Sequence, residues 1–151
     1  MSEFTKIAVD AMGGDDAPKK IIDGIIHNHK SNKKNFFIIF GNKDEIDIHI
    51  KNKINNNFYK IVHTEDVVKS TDSPLEAAKR GKNTSMWKAI ESVKKKEADI
   101  IISAGNTGAL LVIAKLNLRM EKNRISLYKP LVNAKFFHSP WTFSPSICDA
   151  V

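Results

Sequence analysis

The residues predict an α/β fold, a parallel sheet with helices on both faces, and three observations predict it. Short apolar runs bounded by Gly, Asn or Asp alternate with longer stretches of helical periodicity. One of those runs, Asn35–Phe40, is apolar almost without a break, as expected of a strand covered on both sides. Two loops rich in small residues, "DAMGGD" (Asp10–Asp15) and "SAGNTGA" (Ser103–Ala109), fall where a strand hands over to a helix.

Phe4–Asp10 reads as the first strand. Pro18–Lys30 reads as a helix with Ile21, Ile22, Ile25 and Ile26 on one face, Asp16 as its N-cap and Pro18 in its first turn. Asn35–Phe40 is the second strand, closed by Gly41. Lys43–Ile54 is expected to be helical, because Ile46, Ile50 and Ile54 recur at i, i+4 and i+8, with Asn55–Asn57 as the stop. Phe58–Val62 is the third strand.

Ser73-Pro74-Leu75-Glu76 is a capping box with proline at the first helical position, so a short helix is expected to about Arg80, broken by Gly81. A further helix should run from Ser85 to Lys96, with Met86, Ile90 and Val93 inward. Asp99–Ser103 is the fourth strand, and Asn106–Met120 the helix that follows. From Glu121 the pattern stops. Residues 121–151 hold three of the five prolines, two aromatic clusters and no sustained period. The expected division is a βα unit over 1–120 and an atypical, irregular tail over 121–151.

Composition narrows the classes. The 151 residues suffice for one domain, with 42% hydrophobic and 27% charged residues. No apolar stretch approaches the roughly 20 residues of a membrane span, and Met1–Lys6 lacks the pattern of a signal peptide, so a cytoplasmic protein is the expectation. The lone Cys148 excludes an internal disulfide or a multi-cysteine zinc site. Lys and Arg exceed Asp and Glu by 24 to 17, a net charge of +7. An acidic partner would suit that charge, but so would an A/T-rich coding sequence, since nearly all of the excess is lysine. No aromatic–basic motif accompanies it, so no nucleic-acid partner is expected.

Chemistry concentrates in the two loops. Glycines let a backbone approach a ligand, and the free N–H groups of a helix start favour an anion. Ser103, Gly105, Asn106, Thr107 and Gly108 therefore suit a phosphate, with Ser103 and Thr107 as hydroxyl donors and Asn106 as cap. A tight β-to-α turn explains the same residues. The loop fits neither the P-loop nor the Gly-x-Gly-x-x-Gly template. In the first loop, Asp10 and Asp15 bracket Gly13-Gly14. Carboxylates there repel a bare phosphate, so they are expected to hold loop N–H groups, bind a metal or accept from a hydroxylated ligand; turn chemistry is the alternative. His63, at the end of the third strand, is a candidate acid, base or anion contact, and a structural histidine fits as well. His27, His29, His49 and His138 show no ligand spacing.

The segments "IAVDAMGGDDAPKKIIDG", "VHTEDVV" and "AAKRGKNTSMWKAIESVKKKEADIIISAGNTGALL" occur here in that order. Together they resemble the bacterial acyl-[acyl-carrier-protein]–phosphate acyltransferases of phospholipid synthesis, over about Ile7–Met120. The resemblance implies an α/β/α sandwich related to phosphotransacetylases and isocitrate-dehydrogenase-like proteins. It implies a homodimer in contact with the inner face of the membrane. It implies transfer of a fatty acyl chain from acyl carrier protein to inorganic phosphate, without metal or cofactor. The acyl phosphate would then serve a membrane glycerol-3-phosphate acyltransferase. By matched motif, Asp10, Gly13, Gly14 and Asp15 would line the substrate pocket, and Ser103, Gly105, Asn106, Thr107 and Gly108 would take the phosphate. Acyl carrier protein is acidic, so Lys33, Lys34 and Lys94–Lys96 are candidate contacts, although solvated helix ends explain them too. "RISLYKPLVNA" departs from the family's usual continuation. That departure suggests a truncated or frame-shifted member, with an inactive remnant that binds a partner as the alternative to an enzyme.

Overall fold

Four strands, Thr5–Asp10 (β1), Asn35–Gly41 (β2), Tyr59–His63 (β3) and Ile100–Ser103 (β4), form one all-parallel sheet in the order β3-β2-β1-β4. The computed structural model describes residues 4–118, and the readings made for 121–151 lie outside them. Five helices accompany the strands: Lys19–Ser31 (α1), Lys43–Ile50 (α2), Pro74–Arg80 (α3), Ser85–Lys94 (α4) and Thr107–Leu118 (α5).

Alternation along the strands builds two cores. Ile7 and Val9 of β1, with Phe37 and Ile39 of β2, pack against Ile22, Ile25 and Ile26 of α1 and Ile46 and Ile50 of α2. The intervening residues Ala8, Ile38 and Phe40 pack against Ala89, with Val93 of α4 half-buried beside them. Helices thus cover both faces, as the apolar run of β2 requires. Each fully buried isoleucine, such as Ile22, Ile39 or Ile46, contributes roughly 2 kcal/mol relative to exposure.

Asp10 belongs to the face shared by Ala8, so its side chain is directed to the α4 side of the sheet. Its register partner on β4 is Ser103. These two facts place the ends of β1 and β4 together at the carboxyl edge, where the loops of a parallel sheet gather.

Three expectations are corrected. Asp16 is not the N-cap of α1. It adopts φ 57°, its carboxylate pairs with Lys20 at 2.7 Å, and the helix begins after Pro18 with no side-chain cap. α2 ends at Ile50, because Lys51 leaves the helical region with ψ 131° and Asn52 turns left-handed at φ 64°. Ile54 still reaches the core, by a turn instead of a helix. Gly81 closes α3 after Arg80, as expected. It stays helical and opens a short 3-10 turn, with the Trp87 ring in the space a side chain would occupy. α4 stops at Lys94, two residues early, since Lys96 takes φ 60°.

Candidate functional site

Both loops are shaped by close backbone approach. A Cβ on Gly13 would stand 2.8 Å from Asp10 Oδ2 and 2.8 Å from the Gly105 nitrogen. Gly14 has φ +95°, and a Cβ there would meet the Ala104 carbonyl oxygen at 2.8 Å. "DAMGGD" and "SAGNTGA", some ninety residues apart in sequence, therefore touch main chain to main chain. A side chain on either glycine would force them apart.

Asp10 lies beneath that contact and is almost fully buried, at 1% exposure. Its Oδ2 accepts the Ser103 hydroxyl at 2.7 Å, and its Oδ1 accepts the Ser85 hydroxyl at 2.7 Å and the Met12 N–H at 3.3 Å. Burial pushes the carboxyl above its ordinary range, while the two serines and the Met12 N–H pull it back. One side chain thus joins the loop after β1, the first residue of α4 and the last residue of β4. Sequence reading missed Ser85. The only local sign of it was its place just after Thr84, which caps α4 by accepting the Trp87 N–H at 3.3 Å.

Ser103 gives its proton to Asp10, and its oxygen accepts the Gly105 N–H at 3.2 Å. Asn106 caps α5, its Oδ1 accepting the Ala109 N–H at 3.0 Å, as its sequence position suggested. Among the described residues, the N–H groups of Asn106, Thr107 and Gly108 make no hydrogen bond. They are the orphan donors of the helix start, and the α5 dipole adds positive character to them. The loop after β4 can thus present a small row of donors to an anion, beside the exposed Thr107.

Asp15 is exposed, on the rim of the first loop. The structure does not bring His63 to these residues. It ends β3, three strands from β4, which at the usual strand spacing is about 14 Å away. Its Nδ1 accepts the Lys43 N–H at 3.2 Å, at the first turn of α2, and its Nε2 stands 3.8 Å from Glu65, beyond hydrogen-bond reach. His63 accordingly serves as a cap for α2 in this arrangement, consistent with the structural alternative.

The fold and these loops define the class: a parallel α/β protein whose two glycine-bearing loops meet at the carboxyl ends of β1 and β4. The chain belongs to the family described as "Fatty acid synthesis protein", whose profile matches residues 5–131. It is 62% identical over 134 residues to a protein of Pelagibacter ubique named "Phosphate acyltransferase", covering 89% of this chain and 39% of that one. Proteins of the same name from Pediococcus pentosaceus and Maricaulis maris are 48% and 37% identical, over 70% and 90% of this chain. The chain spans only 39%, 30% and 39% of the length of these three curated relatives.

Proposed function

We propose that the site at the ends of β1 and β4 serves transfer of a fatty acyl group from the thioester of acyl carrier protein to inorganic phosphate. The observation that carries this reading is the main-chain contact of the two loops, which sets a row of free N–H donors beside a fixed wall. The name shared by the relatives agrees with it.

Phosphate bound at the start of α5 would be held against the thioester carbonyl, which removes much of the entropic cost of the encounter. A phosphate oxygen attacks the carbonyl carbon and forms the new C–O bond. The tetrahedral oxyanion needs fixed donors, for which the remaining loop N–H groups are suited. Its collapse breaks the C–S bond and releases the pantetheine thiolate, which takes up the proton lost by phosphate. The products are acyl phosphate and the free thiol. No covalent enzyme nucleophile is required, which fits Ser103 being committed to Asp10. In this reading the product passes to a membrane glycerol-3-phosphate acyltransferase. The protein works as a homodimer in the cytoplasm, at the inner face of the membrane. No described helix is long and apolar enough to cross a membrane.

The test is incubation of the chain with acyl carrier protein thioester and phosphate, with hydroxylamine to trap product. Acyl hydroxamate that depends on phosphate is expected. None, where a full-length relative gives it, overturns activity for this chain. A second reading, a non-catalytic chain that binds a partner, is favoured by exposed apolar residues: Ile102 of β4 is 50% exposed and Leu111 and Leu116 of α5 are 53% and 61% exposed. Phosphate-dependent acyl hydroxamate formed by this chain would remove it.

A further inference from the structure

We infer that Asn106 is a positioning residue that clamps the Lys69–Asp72 turn against the start of α5, making that turn a third wall of the site. The inference rests on the phosphate reading above and adds a segment that neither glycine loop contains.

The geometry of the amide carries it. With Oδ1 engaged by the Ala109 N–H, the Nδ2 group faces three main-chain carbonyls: Asp72 at 2.9 Å, Ser70 at 3.3 Å and Lys69 at 3.5 Å. The reverse orientation would set an oxygen against three oxygens, so the hydrogen-bond pattern fixes which end is which. Two N–H protons serve three acceptors, with Asp72 taking the strong bond and the other two sharing the remainder. The asparagine joins segments 34 residues apart while also capping its own helix.

The turn is closed from within as well. Asp72 Oδ2 accepts the Lys69 N–H at 2.9 Å, and its Oδ1 accepts Arg80 of α3 at 2.8 Å. Pro74, at the head of α3, lies in the space that a side chain on Gly108 would fill. The turn is thus fastened to α3 by Arg80 and to α5 by Asn106. This has two consequences for the site. The Asn106 side chain is fully spent and does not reach a phosphate, so anion contacts fall to the N–H groups of Asn106, Thr107 and Gly108 and to the Thr107 hydroxyl. The clamp also brings the lysine-bearing turn to the rim of a site whose other loop carries Asp10, Asp15 and Asp16.

Serine separates the two roles, because Asn106→Ser keeps an N-cap oxygen and deletes the Nδ2 donors. The full chain, Asn106→Ser and Asn106→Ala would be compared by limited trypsin cleavage at the Lys69–Ser70 bond, thermal melting and inorganic phosphate binding. Cleavage after Lys69 is expected to rise about tenfold in Asn106→Ser as the turn opens locally. Its melting temperature should stay within about 4 °C of wild type. Its phosphate dissociation constant should rise about fivefold, through loss of a preorganised wall. Asn106→Ala should match these changes and melt lower. Unchanged cleavage in Asn106→Ser overturns the clamp. Raised cleavage with unchanged phosphate affinity overturns the positioning role and leaves a structural tie. A wild-type chain that binds no phosphate overturns the functional reading, and the wall with it, whatever the cleavage pattern.

Discussion

The loops after β1 and after β4 both carry glycine and both lead into a helix, yet the structure uses them in opposite ways. The first turns inward. Its Asp10 is buried under three hydrogen bonds, and its glycines exist to let another backbone come close. The second turns outward. Its side chains Ser103 and Asn106 are consumed by internal bonds, and that leaves the main-chain N–H groups of Asn106, Thr107 and Gly108 facing no described partner. One loop is a support and the other a presenting surface. Residue composition does not distinguish them; the direction in which the polar atoms are spent does.

The comparison can be broken most forcefully at Gly14. Alanine there combines a left-handed backbone with a carbonyl 2.8 Å from the new methyl. Gly14→Ala is expected to cost about 3 kcal/mol in denaturant unfolding, through strain and overpacking together. A loss below about 0.5 kcal/mol would show that the loops do not press on one another.

Asp10→Ala comes next. It strands the Ser85 and Ser103 hydroxyls and leaves a cavity, at an expected cost of about 2 kcal/mol. Asp10→Asn tests the electrostatics. The folded pKa of Asp10 is raised above its ordinary 3.8, so between those two values the folded state holds a proton that the unfolded state has lost. Stability therefore falls as pH rises through that window and levels off above it. The wild-type stability minus that of Asp10→Asn should show this decline. A difference that grows with pH would mean that hydrogen bonding outweighs burial at this carboxyl.

Asp15→Asn is the smallest effect and the sharpest control. Asp15 lies in the same loop but is exposed, so its neutralisation should change stability by less than about 0.5 kcal/mol. Equal losses at Asp10 and Asp15 would erase the distinction between an inward and an outward carboxylate.

Local chemistry was legible in the residues. The capping box at Ser73 forms much as expected, with Ser73 Oγ accepting the Glu76 N–H at 3.3 Å and donating to the Glu76 carboxylate at 2.8 Å. The apolar runs mark all four strands to within a residue or two; of the expected inward residues Ile22, Ile25, Ile26, Met86 and Ile90 are core, while Ile21 and Val93 are half-buried. Errors fell where two residues at the end of an element decide its length. Periodicity carried α2 on to Ile54, because that residue is buried in register with a helix that has already ended. The periodicity records burial and is blind to the turn at Asn52.

The sequence alone determined the alternation of strand and helix, the parallel sheet, the two loops at its edge and, by residue identity, the family. These depend on spacings of a few residues, where side-chain period and backbone preference act directly. Only the tertiary structure decided what the loop residues do. Asp10 meets Ser85 and Ser103 across 75 and 93 residues, and Asn106 meets the carbonyls of a turn 34 residues before it. It also decided that His63 stands apart, since strand order, and not chain order, sets distance across a sheet. A hydroxyl or amide carries the same donors in every sequence context. Which acceptor takes them is fixed only when folding brings distant segments within about 3 Å.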